Sequence, residues 1–346
     1  MHFIHSGKFA GKKILLIDRS PKTANDRTWC FWESKPGLFE SIVTKQWDRV
    51  LFKSDAFSRV MDIAPYRYKM IRGIDFYEHC FNEISKHGNI EVMYADVECI
   101  DNCVIANGQR YDAEYIFNSI LFDKPEGKLS LLQHFKGWLV ETPQPVFDEQ
   151  CATLMDFSVS QEHGTTFTYV LPVSSTVAMV EYTLFTKELL PDEDYDKGLK
   201  DYINFPYKIL AEEKGVIPMT NYAFPRCKGN VINIGSAGGQ TKPSSGYTFY
   251  FIQQHSRAIA DEMIRDGKPF TGPIYQKRFS YYDSVLLNVL ATNKLSGKRV
   301  FTDLFKRNKP ARILQFLNNE SSLATDLRII SSLPTLPFLR AGLEEL

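Results

Sequence analysis

Four groups of residues have types and spacings that could do chemistry. In GSAGGQTKPSSGYTF (235–249), Gly235, Gly238 and Gly239 allow a backbone to approach a ligand closely. Pro243, Ser245 and Gly246 then lead into an apolar-periodic run, and the free N–H groups of a helix start can hold an anion. Lys242 adds a positive charge. A glycine-rich turn with no ligand has the same composition. Asp18 closes the apolar run KILLID. In a βαβ nucleotide-binding unit an acid at that place hydrogen-bonds ribose hydroxyls; a solvated acid ending a strand looks identical. Trp29, Phe31 and Trp32 crowd Cys30, with Asp26, Arg27 and Glu33 around them. Aromatic faces stabilise a desolvated cation by up to about 2 kcal/mol each, and equally they fill an ordinary core. Arg27 either faces a phosphate-bearing ligand or pairs with Glu33. Glu181, in MVEYTLF, alternates with Val180 and Tyr182, so on a strand it projects to the other face. An apolar face would raise its pKa and make it an acid; a solvent face would leave it inert.

The elements that must position these residues follow from pattern. Residues 1–8 read as the end of a helix stopped near Gly7, and 13–18 as a buried strand. Apolar residues Phe76, Cys80, Phe81 and Ile84 give a helix over 75–87. Strands follow at 91–97 and 114–119, with an Asn107–Gly108 hairpin between them. HFKGWLVET, ATLMDFSV, TTFTYVLPV and TVAMVEYTLF are long, alternating and β-rich, which predicts an antiparallel sheet. Residues 191–215 read as charged and helical, 231–239 as a strand entering glycines, Ser244 or Ser245 to Gly267 as a helix, and 283–330 as helical. The architecture is α/β: a Rossmann-like dinucleotide-binding domain (1–125 plus 222–272), an inserted antiparallel-sheet substrate domain (126–221) and a helical C-terminal region (273–346).

Composition narrows the function. Hydrophobic residues are 44% and charged residues 24%, which excludes global disorder. Forty-one basic residues balance forty-one acidic ones, against a nucleic-acid partner. Six cysteines without a CxxC pair, and seven histidines without HExxH spacing, support no metal. There is no GxSxG elbow for hydrolysis. Scattered cysteines point to a cytoplasmic protein. Residues 298–317 interleave Lys298, Arg299, Lys306, Arg307, Lys309 and Arg312 with Phe301, Phe305, Ile313 and Phe316. That pattern suits either peripheral contact with the inner face of a membrane or an ordinary packing helix.

Three stretches, NDRTWCFWE (25–33), MVEYTLF (179–185) and GSAGGQTKPSSGYTF, in this order, resemble the lycopene cyclase family, and specifically bacterial lycopene β-cyclases. HFKGW, MDFSVSQ, GVIPMT and YDSVLLNVL extend the resemblance over nearly the whole chain. It implies a flavoprotein related to aromatic hydroxylases, using reduced FAD with NADPH as electron source and no net redox change. The substrate would be lycopene or another ψ-end carotenoid, closed to β-rings (γ-carotene, β-carotene). Glu181 matches the family's essential glutamate. Asp18, Arg27, Gly235, Gly238, Gly239, Pro243 and Gly246 would contact the cofactor. Trp29, Phe31, Trp32 and Tyr247 would line the substrate cavity. Two other readings fit the same architecture: an FAD-dependent monooxygenase or dehydrogenase, and an inactive remnant that holds no flavin.

The second of these arises because no GxGxxG loop precedes the first helix. In a doubly wound sheet the first strand is central. Its place would be a slot with unpaired backbone on both neighbouring strands. The expectation is a physiological chain beginning about 20–30 residues earlier, the length of a strand, a glycine turn and the front of a helix.

Overall fold

Gly7, at φ 66°, ends α1 (His2–Ser6) in the left-handed conformation and releases the chain into β1 (Ile14–Asp18). The computed structural model describes residues 1–123, 125 and 127–346. The tryptophan-rich run forms β2 (Thr28–Glu33), followed by β3 (Lys45–Trp47), β4 (Arg49–Ser54), β5 (Phe57–Asp62) and β6 (Arg67–Arg72). The helical spacing after them becomes α2 (Gly73–Ile84), and β7 (Ile90–Tyr94) returns parallel to β1. A ribbon of β8 (Val97–Ile100), β9 (Val104–Ala106) and β10 (Gln109–Tyr111) comes next. Asn107 and Gly108 turn its hairpin, both at positive φ (48° and 72°), as a tight two-residue turn demands. The segment ends in β11 (Ile116–Asn118).

The alternating runs form β12 (Ser130–Glu141), β13 (Cys151–Asp156), β14 (Thr165–Pro172) and β15 (Val177–Thr186), followed by α3 (Asp192–Tyr202). Residues 191–215 are not helical throughout. Pro206 forbids continuation, and 208–220 become a long strand, β16 (Lys208–Thr220). β16 is an edge strand whose first five residues are exposed, Ile209 and Leu210 included, so it lacks the alternation that marks a half-buried strand. Two short strands, β17 (Cys227–Lys228) and β18 (Val231–Asn233), precede α4 (Phe249–Asp266). The chain closes with α5 (Lys277–Ala291), α6 (Gly297–Arg307), α7 (Pro310–Leu317), α8 (Leu323–Ile330) and α9 (Thr335–Glu344).

The large sheet has the order β16-β12-β15-β14-β13-β4-β5 and is antiparallel except between β13 and β4. Its last two strands come from residues 49–62, before the position where the sequence places the insertion. β1 pairs with β7, and β11 with β18, both parallel. Among the described residues, β1 and β11 each keep one edge without a strand partner, and Leu15 and Leu16 of β1 stand exposed.

The large sheet buries both faces. On one, Trp138, Val180, Tyr182 and Leu184 pack against Tyr195 and Leu199 of α3. On the other, Phe167, Tyr169, Met179 and Phe185 meet Trp32, Tyr68 and Met70 of the β2–β6 layer and the inner sides of α5 to α7. Residues 298–317 belong to that second core. Phe305 stacks on Phe52 with centroids 4.5 Å apart, and Phe301, Ile313 and Leu314 are buried. Arg299 pairs with Asp303 at 2.7 Å, and Lys298 pairs with Asp55. The aromatics of this segment are turned inward, so the packing-helix alternative holds. Among the described residues no helix is long and apolar enough to cross a membrane.

The close approach of α3 to the sheet gives a test. A Cβ on Gly198 would lie 2.6 Å from Cζ of Tyr182. Glycine to alanine inside a helix ordinarily gains about 1 kcal/mol. Here Gly198→Ala should instead lose about 1–3 kcal/mol through overpacking, read as a lower denaturant midpoint. A higher midpoint would show that α3 does not sit against Tyr182.

Candidate active site

The strand period divides the aromatic group of β2 between two faces. Cys30 and Trp32 face the large sheet, whereas Trp29 and Phe31 face the other way, onto Phe249 at 5.5 and 4.7 Å. Trp32 is fixed at both ends: its Nε1–H donates to the Leu314 carbonyl at 3.1 Å, and its ring meets Tyr247 edge-on at 4.5 Å. Arg27 pairs with Asp26 at 2.7 Å and lies over the Trp29 ring at 5.7 Å. It does not pair with Glu33, which accepts from the buried Lys69 at 2.8 Å.

Glu181 sits opposite Gly137 of β12 on one side and Tyr169 of β14 on the other. It shares its face with Met179 and Phe185, looking into the core that holds Cys30, Trp32, Tyr68 and Tyr247. Part of the side chain remains exposed, although protein surrounds the carboxyl. Thr183 Oγ1 donates to it at 2.7 Å. Burial, and next the charge of Glu213, push its pKa to about 8, against the Thr183 hydrogen bond. Burial likewise pushes Cys30, Tyr68, Tyr169 and Tyr247 upward, and Glu181 adds to the shift of Cys30, Tyr169 and Tyr247. In this aromatic core burial thus favours the uncharged form of the Glu181 carboxyl, of the three phenols and of the Cys30 thiol alike.

The glycine segment reaches the same chamber through Tyr247. α4 starts at Phe249, so Pro243, Ser245 and Gly246 lie in the loop before it and not in its first turn. Gly235, Gly239 and Gly246 have φ of 55°, 69° and 71°. A Cβ on Gly246 would come 1.9 Å from Gln133 Oε1, so the loop lies flat on β12. Gly238 answers to a different need: its Cβ would meet the Asn233 carbonyl at 2.4 Å inside the turn itself. Lys242 is not a free charge. Its ammonium pairs with Asp283 of α5 at 2.7 Å and bonds Asn319 at 2.7 Å, while Ser244 donates to Asp283 at 2.5 Å. Asp18, at the end of β1, accepts from Lys22 at 2.9 Å and from the Ser20 N–H at 3.2 Å.

These residues fit a flat heteroaromatic ring with polar edges. Gln133 Oε1, Ser245 Oγ and Trp29 Nε1 are buried without partners, and all three adjoin the loop or β2. Asp18 and Arg27 lie outside the Glu181 chamber, at the β1 end and the β2 start. Residue types alone did not single out Gly137, Tyr169, Glu213 or Asp283. Gly137 and Asp283 lie within segments already noted, HFKGW and YDSVLLNVL, and Glu213 stands just before GVIPMT. Among the described residues no group of His, Cys, Asp and Glu is placed to hold a metal ion.

The fold is that of flavin-dependent enzymes. The flavin-dependent brominase Bmp2 superposes with a TM-score of 0.63 at 11% identity, over 94% of this chain and 93% of that one. PqsL of Pseudomonas aeruginosa, a probable FAD-dependent monooxygenase, gives 0.55 at 11%, over 88% and 95%. The chain belongs to the lycopene cyclase protein family, whose model matches residues 5–343. It is 23% identical to the lycopene beta-cyclase of Pantoea ananas over 220 residues, which are 60% of this chain and 56% of that protein. It is 25% identical to the chromoplastic capsanthin/capsorubin synthase of Capsicum annuum over 270 residues, 68% of this chain and 53% of that protein. The chain thus spans about half the length of these curated relatives.

The Lys242–Asp283 pair predicts how the loop is held. Removing one partner of a buried ion pair costs about 3–5 kcal/mol, because the other charge is left uncompensated. Asp283→Ala should destabilise by that order, and Lys242→Met with Asp283→Leu should recover most of the loss. Equal thermal midpoints for native and Asp283→Ala would remove the pair from the structure's supports.

Proposed function

We propose that the chain closes the ψ-ends of lycopene to β-rings, as an intramolecular lyase of the isomerase class. The observation that carries this reading is Glu181, a carboxyl desolvated to a pKa of about 8 inside an aromatic chamber. A proton delivered to the terminal double bond leaves a tertiary cation. A neighbouring double bond attacks it, and loss of a different proton completes the ring. Glu181 is protonated at neutral pH and donates the first proton. Trp32 and Tyr247 offer aromatic faces to the cation. The enclosure keeps out water that would trap the cation. Asp18, Arg27, Gly235, Gly239, Gly246 and the orphaned Gln133 and Ser245 would hold FAD. When bound and reduced, with NADPH as electron source, it would supply negative charge that stabilises a cation. A protein working on this water-insoluble substrate from the cytoplasmic side needs an apolar surface. Leu336, Leu339 and Leu343 on α9 stand exposed at spacing i, i+3, i+7, and favour peripheral membrane contact there over 298–317.

Cyclisation should be full below about pH 8 and fall as pH rises through that value, because the donor is then ionised. Glu181→Gln should abolish β-ring formation in a lycopene-accumulating host, read by pigment chromatography, while flavin absorbance is retained. Near-native β-ring yield would sink the assignment. The same residue costs stability. Between about pH 4.5 and 8 the unfolded chain loses a proton that the folded chain keeps, so stability falls across that window and levels off above it. At pH 8 Glu181→Gln should be the more stable protein by on the order of 3 kcal/mol, measured by denaturant unfolding.

A further inference from the structure

Glu213 of β16, Gly137 of β12, Glu181 of β15 and Tyr169 of β14 stand in one row across the large sheet. Residues paired this way send their side chains to the same face. Gly137 has no side chain, so nothing of β12 stands between the two glutamates, whose backbones are two strand spacings, about 10 Å, apart. A methyl on Gly137 would lie 3.6 Å from Cβ and Cγ of Glu181 and 3.0 Å from Met179 Sδ. The Glu181 side chain therefore passes over this gap.

The two carboxyls are both raised by burial but differ in how many donors hold them. Glu213 is buried and accepts two hydrogen bonds from Thr28, from its N–H at 2.8 Å and its hydroxyl at 2.6 Å. Such bonds favour the ionised form. Burial raises the Glu213 pKa, and Asp26 adds to this; the Thr28 bonds and Arg27 oppose it. Glu181 has one hydroxyl donor and faces Cys30, Tyr169 and Tyr247 as well as Glu213. Burial raises both carboxyls, but two Thr28 donors hold the two oxygens of Glu213 against one donor at Glu181, so Glu213 is the one whose ionised form is the better held.

We propose that Glu213 is the second catalytic carboxyl of this site, the base that takes the ring proton after Glu181 has given the first. This rests on the cyclisation reading. The O–H bond of Glu181 breaks, and a C–H bond forms at the inner, CH carbon of the terminal double bond, which leaves the positive charge on the outer carbon that carries the two methyls. The tertiary cation is then attacked by the π pair of the inner double bond, which makes the ring C–C bond and moves the positive charge to the adjacent ring carbon. The C–H bond of the attacking carbon breaks, its electron pair closes the ring double bond, and the proton goes to Glu213. No electron is gained or lost, and the proton returns to Glu181 through solvent between turnovers.

The test compares the full chain, supplied with FAD, NADPH and lycopene, with Glu213→Gln and Glu213→Asp. In Glu213→Gln the cation should form but lose its proton from a neighbouring carbon or methyl group. Isomeric rings with a shifted or exocyclic double bond should then replace the β-ring. The alkaline limb of the pH profile should move down by about one unit, because a neighbouring negative charge has gone. Glu213→Asp should keep the β-ring at a lower rate. A β-ring as sole product with an unmoved limb would overturn the proposal. A second arm needs no substrate. The infrared band of the protonated Glu181 carboxyl, assigned by its loss in Glu181→Gln, should titrate at lower pH in Glu213→Gln than in the native chain. An unmoved titration overturns the coupling. If the native chain forms no ring while the band still shifts, the cyclisation reading falls, and the role of Glu213 as base falls with it; the carboxyl pair stands.

Discussion

The rest of the structure depends on the desolvation of one carboxyl. Glu181 projects from the middle of a seven-stranded sheet, and on an open sheet it would face water and ionise. What removes the water is the β2–β6 layer docked on that face, with Trp32, Tyr68 and Met70 among its buried contacts. Three polar fastenings fix the docking: Trp32 to the Leu314 carbonyl, Thr28 to Glu213, and Lys242 to Asp283. They join β2 to α7, β2 to β16, and the glycine loop to α5. Each links segments far apart in the chain, so the chamber closes only when the whole fold is in place.

The glycine loop shows how such a fastening acts. A buried ion pair is weak evidence for stability, since desolvating two charges roughly cancels their attraction. Its effect is on geometry. With Lys242 and Ser244 both held by Asp283, and Gly246 flat against Gln133, the chain between them has little freedom. Tyr247 is then carried to its place against Trp32, with its hydroxyl end near Tyr68 and Tyr169. The loop thus positions a phenol.

How much of this was legible in the sequence differs residue by residue. The alternation Val180, Glu181, Tyr182 correctly placed Glu181 on one face of a strand, because period two is a local property. The Asn107–Gly108 turn was legible for the same reason. Which face is dry is not local, and it was the family resemblance that favoured the apolar side. The tryptophan run reads in sequence as one aromatic group, although the same period two sends Trp29 and Phe31 away from Glu181. Strand β16 is hidden by its place at the sheet edge, where Lys208 to Glu212 all meet solvent, apolar and charged alike, and no period of two is left to read. Glu213 was lost with it. The inward turn of 298–317 could not be read either, since an amphipathic helix shows the same pattern whether its apolar face meets lipid or protein.

In the proposed cyclisation the enclosure would do three things at once. It would raise the acid's pKa, set aromatic faces against the forming charge, and exclude the water that would capture that charge. These are not separate devices, because each is a consequence of burying the same face of the same sheet. Carrying the acid on a strand, not a loop, follows from this. A sheet row fixes where side chains leave the backbone, and Glu181 is paired on both sides, with Gly137 and Tyr169. A proton placed on the wrong carbon of a polyene gives a different cation, so the position of the donor decides the product. The sheet supplies that position at a cost in stability which a loop-borne acid, free to reach water, would avoid.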